Sequence, residues 1–412
     1  MVKTMKIFQK YALFAFFTVF LLYFGIMTKI NIAKSDIEPR KYDTVSMSVF
    51  EKDRVLKQKI KDDDYEFSSY FYKKTEFAEN YGMLQRLLGK HIVDDPVSCR
   101  RVYRGENEVL YYTVPVRNVN EKAVKNVAKL KKTLDKEGIP MLFLIAPNKH
   151  TINSVNFPQG VLDYNTTNLD DLSNRLKESG VDVIDLNQEF FKDGLDENTS
   201  FYKTDTHWKN ETAFWGYNKL IDYLANDYVY NFDNDKEVSS ISSYNVKNYA
   251  KSYIGSMGKR VGQKYVKQKD DYSLLLPKFD TDFTYKKFNE DLDEISSKTG
   301  SFEDVFVEKP VLEDKDPYKD KYTAMMGYGQ PYEVITNNNL KKNTKLLLIK
   351  DSFAMPFSAY LSNNIKNIYM IDTRNEKIRG QLTRLISNVK PDYVIFVCSS
   401  SSVFYFPEMF DF

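Results

Sequence analysis

Two short stretches of the sequence carry side chains that could act together as a nucleophile and its base. The first, LLLIKDSFAMPF at Leu346–Phe357, places Ser352 directly after an apolar run. The second, YKTDTHWK at Tyr202–Lys209, holds Asp205 and His207 two positions apart in a chain with only three histidines. In a Ser-His-Asp set, the imidazole takes the proton of the serine hydroxyl while the carboxylate holds the imidazole in the required tautomer. The two stretches therefore supply a complete candidate set for acyl transfer or ester hydrolysis.

Each stretch also has a purely structural interpretation. A serine or aspartate in front of a helix is most often an N-cap, so Asp351 or Ser352 could simply begin the following helix. Asp205 or Asn210 could cap the helix that follows His207 in the same way. The serine also lacks the flanking glycines of the G-x-S-x-G turn of α/β-hydrolases. Taken alone, each stretch leaves both interpretations open.

Helices and strands alternate on both sides of a long polar segment. Apolar residues recur at helical spacing in Glu121–Glu137, and the apolar run Met141–Ala146 is typical of a buried parallel strand. The alternation stops between about 230 and 344 and then resumes with the apolar runs KLLLI, IKNIYMI and DYVIFV. This order predicts an α/β fold with three layers and a mostly parallel sheet, interrupted by an insertion. In such sheets ligands bind at the carboxyl ends of strands, which is where Ser352 stands.

The N-terminus is predicted to be a membrane anchor. Lys3, Lys6 and Lys10 precede the uncharged run Tyr11–Met27, which spans about 25 Å as a helix. Basic residues on the short N-terminal side keep that side cytoplasmic, so we expect the rest of the chain outside the membrane. A cleaved signal peptide is the alternative, although no convincing cleavage site follows the run. The predicted organisation is a cytoplasmic stub and transmembrane anchor at 1–30, a juxtamembrane helical stalk at 31–98, and an α/β domain at 99–412 with the insertion at about 230–344.

Composition and charge argue against several other classes of protein. The 59 basic and 57 acidic residues are mixed along the chain and give a net charge of +2, which is unlike a nucleic-acid-binding protein. Cys99 and Cys398 form no C-x-x-C pattern, and with three scattered histidines no metal-ligand spacing appears. We therefore expect neither a metal nor another cofactor. A disulfide between the two cysteines stays open, although Cys398 lies in an apolar run that favours a buried free thiol.

The two stretches together resemble the SGNH-hydrolase-like proteins of the alginate O-acetyltransferase class, in particular their DHHW-motif branch. In that class the Asp-x-His block precedes the nucleophile block, as Asp205 and His207 precede Ser352 here. Shorter matches accompany them, namely FLIAPNKHTI, which contains Lys149, YIGSMGKRVG after the histidine helix, and NIYMIDTRN, which contains Arg374.

The sequence departs from the family pattern at two positions beside the candidate set. Thr206 stands where the branch name implies a second histidine, and Lys350 stands where many members have glycine. The lysine puts the backbone and oxyanion geometry beside Ser352 in question. The asparagine of the SGNH pattern has Asn148 as its candidate.

The resemblance implies acyl-ester chemistry on a cell-envelope polymer, and with the predicted anchor it leads us to expect a membrane-anchored, extracytoplasmic O-acyltransferase, foremost an O-acetyltransferase, that modifies a cell-envelope polysaccharide. Ser352 would be the nucleophile of a two-step transfer through an acyl-enzyme, with His207 as the base and Asp205 as its partner. A membrane-bound O-acyltransferase of the MBOAT type is implied as the acyl donor partner. The alternatives are a carbohydrate esterase or deacetylase of the same fold, and a non-catalytic envelope scaffold or polysaccharide-binding protein.

Three further residues are candidates for supporting roles. Arg374 would position the substrate or neutralise charge, and its structural alternative is a pair with Glu376. Lys149 would contact an anionic polymer, and its structural alternative is an ordinary exposed loop lysine. Asn148 would assist at the oxyanion.

Overall fold

The computed structural model describes residues 2–35, 59, 63, 67–68, 70–95, 100–117, 120–149, 157–227 and 237–412. The chain divides into two compact units, Met1–Tyr81 and Gly82–Phe412. The domain bounds drawn from the sequence stay a prediction.

Helices and strands follow one another along the described residues. The α-helices are α1 Val2–Ala33, α2 Lys74–Leu87, α3 Glu121–Lys136, α4 Asn165–Glu178, α5 Leu186–Lys192, α6 Glu197–Ser200, α7 Asn210–Asp227, α8 Ser256–Val261, α9 Gln263–Val266, α10 Phe302–Phe306, α11 Lys309–Glu313, α12 Ala354–Leu361, α13 Glu376–Arg379, α14 Leu382–Val389 and α15 Ser400–Tyr405. The strands are β1 Ile92–Asp95, β2 Arg100–Arg104, β3 Leu110–Tyr112, β4 Met141–Ala146, β5 Asp182–Asp185, β6 Tyr244–Tyr253, β7 Asp270–Pro277, β8 Phe283–Phe288, β9 Glu294–Gly300, β10 Tyr332–Asn337, β11 Lys345–Lys350, β12 Asn367–Ile371 and β13 Tyr393–Ser399.

Helix α1 is long and apolar. Its segment Tyr11–Ala33 has the length and composition needed to cross a membrane. Large side chains along it, such as Phe14 and Leu22, are exposed. Burying a side chain of that size is worth about 1.5–3 kcal/mol, so a helix that exposes many of them is suited to an apolar surrounding. The apolar N-terminal helix predicted from the sequence is confirmed.

An eight-stranded sheet forms the centre of the larger unit, in the order β5-β4-β13-β11-β12-β10-β8-β9. The strands from β5 to β12 are parallel to their neighbours, whereas β10, β8 and β9 add on in antiparallel pairs. Strands β4 and β13 are buried along their whole length, as expected for strands that are covered on both faces. The predicted α/β fold with a mostly parallel sheet is therefore confirmed.

Alternate residues of each central strand pack into two separate cores. In β11, Leu346 and Leu348 face a core shared with α7 and α12, whereas Leu347 and Ile349 face a core shared with α3, α4 and α14. Because successive side chains of a strand point to opposite faces, this separation defines a helix layer on each side of the sheet.

The segment predicted as an insertion contributes several strands to the described structure. Strands β8 to β10 extend the main sheet at its antiparallel side, and β6 and β7 form a two-stranded antiparallel sheet of their own. A further small sheet joins β1, β2 and β3. Cys398 is a buried free thiol in β13, and Cys99 lies outside the described residues.

The candidate site residues gather at one edge of the sheet because neighbouring parallel strands end there. Asn148 and Lys149 follow β4, Ser352 follows β11, and Arg374 follows β12. Strands β4, β13, β11 and β12 are consecutive in the sheet, so these loops share the carboxyl edge at which α/β proteins bind ligands.

Candidate active site

Ser352 lies on the turn between β11 and α12, and its side chain does not cap the helix. Asp351 holds this turn instead. One oxygen of its buried carboxylate accepts the amide of Phe353 at 2.8 Å, and the other accepts the amide of Ser399 at 2.8 Å. Asp351 thereby joins the ends of the neighbouring strands β11 and β13 and fixes the backbone in front of Ser352. The serine hydroxyl is left to face His207.

The Ser352 hydroxyl, the His207 ring and the Asp205 carboxylate form one hydrogen-bonded chain. Nε2 of His207 lies 2.8 Å from Oγ of Ser352, and Nδ1 lies 2.6 Å from Oδ1 of Asp205. When Nδ1–H donates to the carboxylate, Nε2 is free to accept the hydroxyl proton, as a general base requires. This is the geometry in which a serine can be activated as a nucleophile.

Asp205 and His207 are carried by the segment Phe201–Trp208, here called the histidine loop. Its two ends pair as an isolated β-bridge, which closes the loop at its base. The indole Nε1 of Trp208 donates to the carbonyl of Phe353 at 3.1 Å. Because Phe353 follows the nucleophile directly, this hydrogen bond ties the histidine loop to the nucleophile turn.

The Asp205 carboxylate is buried and accepts hydrogen bonds on both oxygens. Oδ1 accepts from the amide and the ring of His207, while Oδ2 accepts from the amide of Ser256 at 2.6 Å and the hydroxyl of Tyr253 at 3.0 Å. Burial by itself would raise the pKa of Asp205, but the charge of His207 and these hydrogen bonds hold that pKa well below its usual range. The carboxylate is therefore ionised at neutral pH and can stabilise an imidazolium. Gly255 permits the contact, since a Cβ there would lie 2.2 Å from the Cβ of Asp205.

Tyr322 holds the imidazole from one face. Its ring stacks on that of His207 with the centroids 3.8 Å apart, and its hydroxyl donates to the carbonyl of Ser352 at 2.9 Å. Sequence reasoning did not single out Tyr322 or Tyr253, because 30 tyrosines without a pattern give no signal for any one of them. Ser256 did carry a signal, as it lies in the matched segment YIGSMGKRVG.

Lys149 is buried, so it is neither an exposed loop lysine nor available for the expected contact with an anionic polymer. Its Nζ donates to the carbonyls of Tyr202 at 2.7 Å and Lys203 at 3.1 Å. Burial lowers the pKa of Lys149 to about 7, although the negative charge of Asp270 acts to raise this pKa. From the other side, Asp270 accepts the amides of Lys203 at 2.6 Å and Thr204 at 2.8 Å. Lys149 therefore positions the backbone in front of the triad carboxylate and is not placed to contact a polymer.

Lys350, which stands where many members of the family have glycine, is also buried. Its Nζ lies 2.9 Å from Oε2 of Glu333 and 4.0 Å from Oδ2 of Asp372. Gly329 makes room for it, because a Cβ there would lie 2.7 Å from the lysine Nζ. Tyr285 donates to the other oxygen of Glu333 at 2.5 Å. The lysine is thus accommodated in a buried ion pair, and the hydrogen bond between Ser352 and His207 forms beside it.

Arg374 pairs with Asp372 and not with Glu376. Its Nε donates to Oδ1 of Asp372 at 2.8 Å, and its guanidinium lies 5.5 Å from the ring centroid of Phe406. Although burial would lower the pKa of Arg374, the hydrogen bond to Asp372 raises it above the usual range. The arginine is therefore charged at all relevant pH values, and 29 % of its side chain is exposed.

Asn148, the third supporting candidate, is buried at the end of β4. Its backbone amide donates to Oδ1 of Asn187 at 3.3 Å. The hydrogen-bonded set at the carboxyl edge thus consists of Ser352, His207 and Asp205, and the structure adds Tyr253, Ser256 and Tyr322 as their partners.

Comparison with known proteins gives a family match for part of the chain. Residues 102–246 match the family described as SGNH hydrolase-like domain, acetyltransferase AlgX. That stretch contains Asp205 and His207. No curated protein matches the chain significantly.

Solved structures extend the likeness to most of the larger unit. PatB1 from Bacillus cereus has a TM-score of 0.62 at 20 % identity, covering 76 % of this chain and 99 % of that chain. The same protein with a sulfonyl adduct has a TM-score of 0.60 at 19 % identity, covering 76 % and 98 %. A DHHW family protein from Eubacterium siraeum has a TM-score of 0.53 at 16 % identity, covering 76 % and 95 %. At these identities the likeness concerns the fold, and together with the family match over residues 102–246 it confirms the resemblance to the SGNH hydrolase-like proteins of the AlgX acetyltransferase class.

Proposed function

We propose that this protein is an O-acetyltransferase that esterifies hydroxyl groups of a cell-envelope polysaccharide. The observation that carries the proposal is the hydrogen-bonded chain from Asp205 through His207 to Ser352. The AlgX family match supports acetyl transfer as the reaction.

The geometry supports a two-step transfer through Ser352. His207 Nε2 takes the hydroxyl proton as Oγ attacks the carbonyl carbon of an acetyl donor, and the ionised Asp205 stabilises the imidazolium. The tetrahedral intermediate expels the donor's leaving group, which takes the proton from His207 and leaves acetyl-Ser352. A sugar hydroxyl then gives its proton to His207 and attacks this ester. Collapse forms the sugar ester and returns the proton to Ser352.

The backbone amide of Ser352 is the candidate for oxyanion stabilisation. Within the described residues this amide donates no hydrogen bond, whereas the next amide is already bonded to Asp351. An amide at this position can donate to the oxygen that becomes negative in the transition state.

We also propose where the reaction takes place and which partners it needs. Helix α1 would anchor the protein in the membrane, with the three lysines of its N-terminal end on the cytoplasmic side and the catalytic unit outside. An acetyl donor on the far side of the membrane from the cytoplasm needs a membrane-bound supplier, for which an MBOAT-type acyltransferase is the candidate. The acceptor would be a polymer of the cell envelope.

Covalent labelling tests whether Ser352 is activated. The structure of PatB1 with a sulfonyl adduct motivates an aryl sulfonyl fluoride as the probe, in which the serine oxygen displaces fluoride. We expect the full chain to be labelled at Ser352, and the rate to fall by about 10³-fold or more in Ser352→Ala and His207→Ala. Ser297→Ala, a change at an exposed serine of β9, is the matched control and should be labelled like the wild type. Equal labelling of all four proteins would contradict the proposal.

Identification of the reaction products distinguishes acetyl transfer to a sugar from hydrolysis of the acetyl ester. With an acetyl ester donor and an oligosaccharide acceptor, mass spectrometry should detect acetylated oligosaccharide that depends on Ser352. Release of acetate alone would identify the protein as an esterase. Absence of both products together with absence of labelling would leave the non-catalytic scaffold.

A further inference from the structure

A cleft of about 540 Å³ opens beside the histidine loop and is lined mainly by lysines. Its polar lining comprises two glutamines, two aspartates and five lysines, Lys203, Lys209, Lys251, Lys267 and Lys269, and we call it the lysine cleft. Clefts of about 300–1,000 Å³ are the usual size for binding small molecules or short polymer segments.

The positive charge of the lysine cleft is not neutralised by its own aspartates. Asp270 is buried and turns its carboxylate toward the amides of Lys203 and Thr204. Asp271 accepts the amide of Lys251 at 2.6 Å. Among the residues that the structure describes, none of the five lysines forms an ion pair. The cleft therefore presents an excess of ammonium groups to whatever enters it.

Two of the lysines are held in a backbone conformation that favours glycine. Lys251 has φ 48° and Lys267 has φ 63°. For a residue with a side chain, the left-handed region costs about 1–2 kcal/mol. Such strain is commonly kept at functional sites, where it directs a side chain to a required position.

The lining favours a hydrophilic occupant. All of the lining side chains end in an ammonium, amide or carboxylate group. None of the lining residues has an apolar side chain of the kind that a lipid surface or an amphipathic helix contacts. A hydrophilic chain with repeated negative charges matches both the ammonium groups and the amides, since the amides can hydrogen-bond sugar hydroxyls.

The lysine cleft lies close to the candidate triad because they share one segment of chain. Lys203 precedes Asp205 by two residues, and Lys209 follows His207 by two residues. Two residues span at most about 7 Å between Cα atoms. Part of the cleft lining therefore lies within about 7 Å of Asp205 and His207, measured between Cα atoms.

We propose that the lysine cleft binds the acceptor as an anionic glycan, one that carries carboxylate or phosphate groups at regular intervals. The assignment of this glycan as acceptor rests on the proposed function, whereas binding in the cleft does not require an active triad.

Binding is measured on the full chain in a neutral detergent with Ser352→Ala, so that no turnover is needed. The probes are fluorescently labelled oligogalacturonate, poly(glycerol phosphate) and a neutral cello-oligosaccharide, followed by fluorescence anisotropy at low and high salt. We expect one or both anionic probes to bind, the neutral probe to bind far more weakly, and affinity to fall as salt screens the charges. Binding of only one anionic probe identifies the charged group as carboxylate or phosphate.

The test variant replaces Lys251, Lys267 and Lys269 with glutamine. Removal of three positive charges from the lining should weaken anionic binding by about tenfold or more at low salt. The matched control replaces the exposed lysines Lys125, Lys129 and Lys132 of helix α3 with glutamine, which removes the same charge elsewhere. The control should bind like its parent, and circular dichroism melting checks that both variants fold.

Four outcomes would overturn the inference. They are absence of binding by both anionic probes, equal binding of the neutral probe, equal weakening by the two triple variants, and displacement of the glycan by phosphatidylglycerol added to the micelles. The last result would assign the cleft to a membrane surface. Anionic binding in the cleft without Ser352 labelling would instead support binding and reject the proposed catalysis.

Discussion

Lys149 and Lys350 are two buried lysines that flank the nucleophile and histidine segments. Each has a partner that makes burial tolerable: carbonyl oxygens for Lys149, and the carboxylate of Glu333 for Lys350. Neither role can be predicted from sequence, since lysine is among the residues least often buried. The lysine at position 350 is compatible with the triad because its ammonium group has an ionic partner inside the protein.

Lys149 should make the stability of the protein depend on pH. Its pKa is about 7 in the folded protein, whereas an unfolded lysine titrates near 10.4. Between these values the unfolded chain binds the proton that the folded chain has released, so stability rises with pH. We expect the free energy of unfolding to rise by about 2 kcal/mol more between pH 7 and pH 9 in the wild type than in Lys149→Met. Urea denaturation at the two pH values measures this difference, and identical pH dependence in the two proteins would contradict it.

At the scale of elements, the turn from β6 into α8 delivers two of the groups that hold Asp205. Tyr253 ends β6 and Ser256 begins α8, and both donate to the same carboxylate oxygen. Gly255 lies between them with φ −75°, an ordinary value for any residue. Glycine is therefore favoured at this position because a side chain would not fit, and not because of the backbone conformation. The turn can approach the carboxylate because position 255 lacks a Cβ.

Gly255→Ala should therefore impair the site more than the fold. The added Cβ would lie 2.2 Å from that of Asp205, which forces the turn or the carboxylate to move. A displacement of about 1 Å at a catalytic group can cost about 10²-fold in rate, so we expect a loss of that order in sulfonyl labelling of Ser352.

The matched control is Gly380→Ala, where the nearest atom to the added Cβ would be 3.6 Å away. It should be labelled at the wild-type rate. Equal rates for the two alanine variants would show that the close approach at Gly255 does not matter for the site.

At the scale of the whole molecule, the apolar helix α1 is suited to an apolar environment, whereas the α/β unit is suited to water. The helix exposes large apolar side chains, whereas the α/β unit buries its apolar residues on both faces of one sheet. This division is the one expected of the proposed membrane-anchored protein, whose α/β unit would lie in water.

We expect the full chain to remain in the membrane fraction after an alkaline carbonate wash. A chain that lacks residues 1–35 should be found in the soluble fraction, because the apolar helix is the segment expected to insert. Mass spectrometry of the mature N-terminus distinguishes the two interpretations of this helix. A mature chain that begins after Met27 would identify a cleaved signal peptide and reject the anchor.

The sequence by itself determined the class of the fold and the pair of segments that meet at the site. Alternation of helical spacing with short apolar runs is a local pattern, so it could be read without the structure, and so could the Asp-x-His and serine motifs of the family. The partners of the triad were decided only by the tertiary structure. Ser352 and His207 are 145 residues apart, and Tyr322 and Tyr253 reach them from other elements. Burial of Lys149 and Lys350 likewise depends on groups that are distant in sequence, and the free energy of a buried charge is set by its neighbours in space.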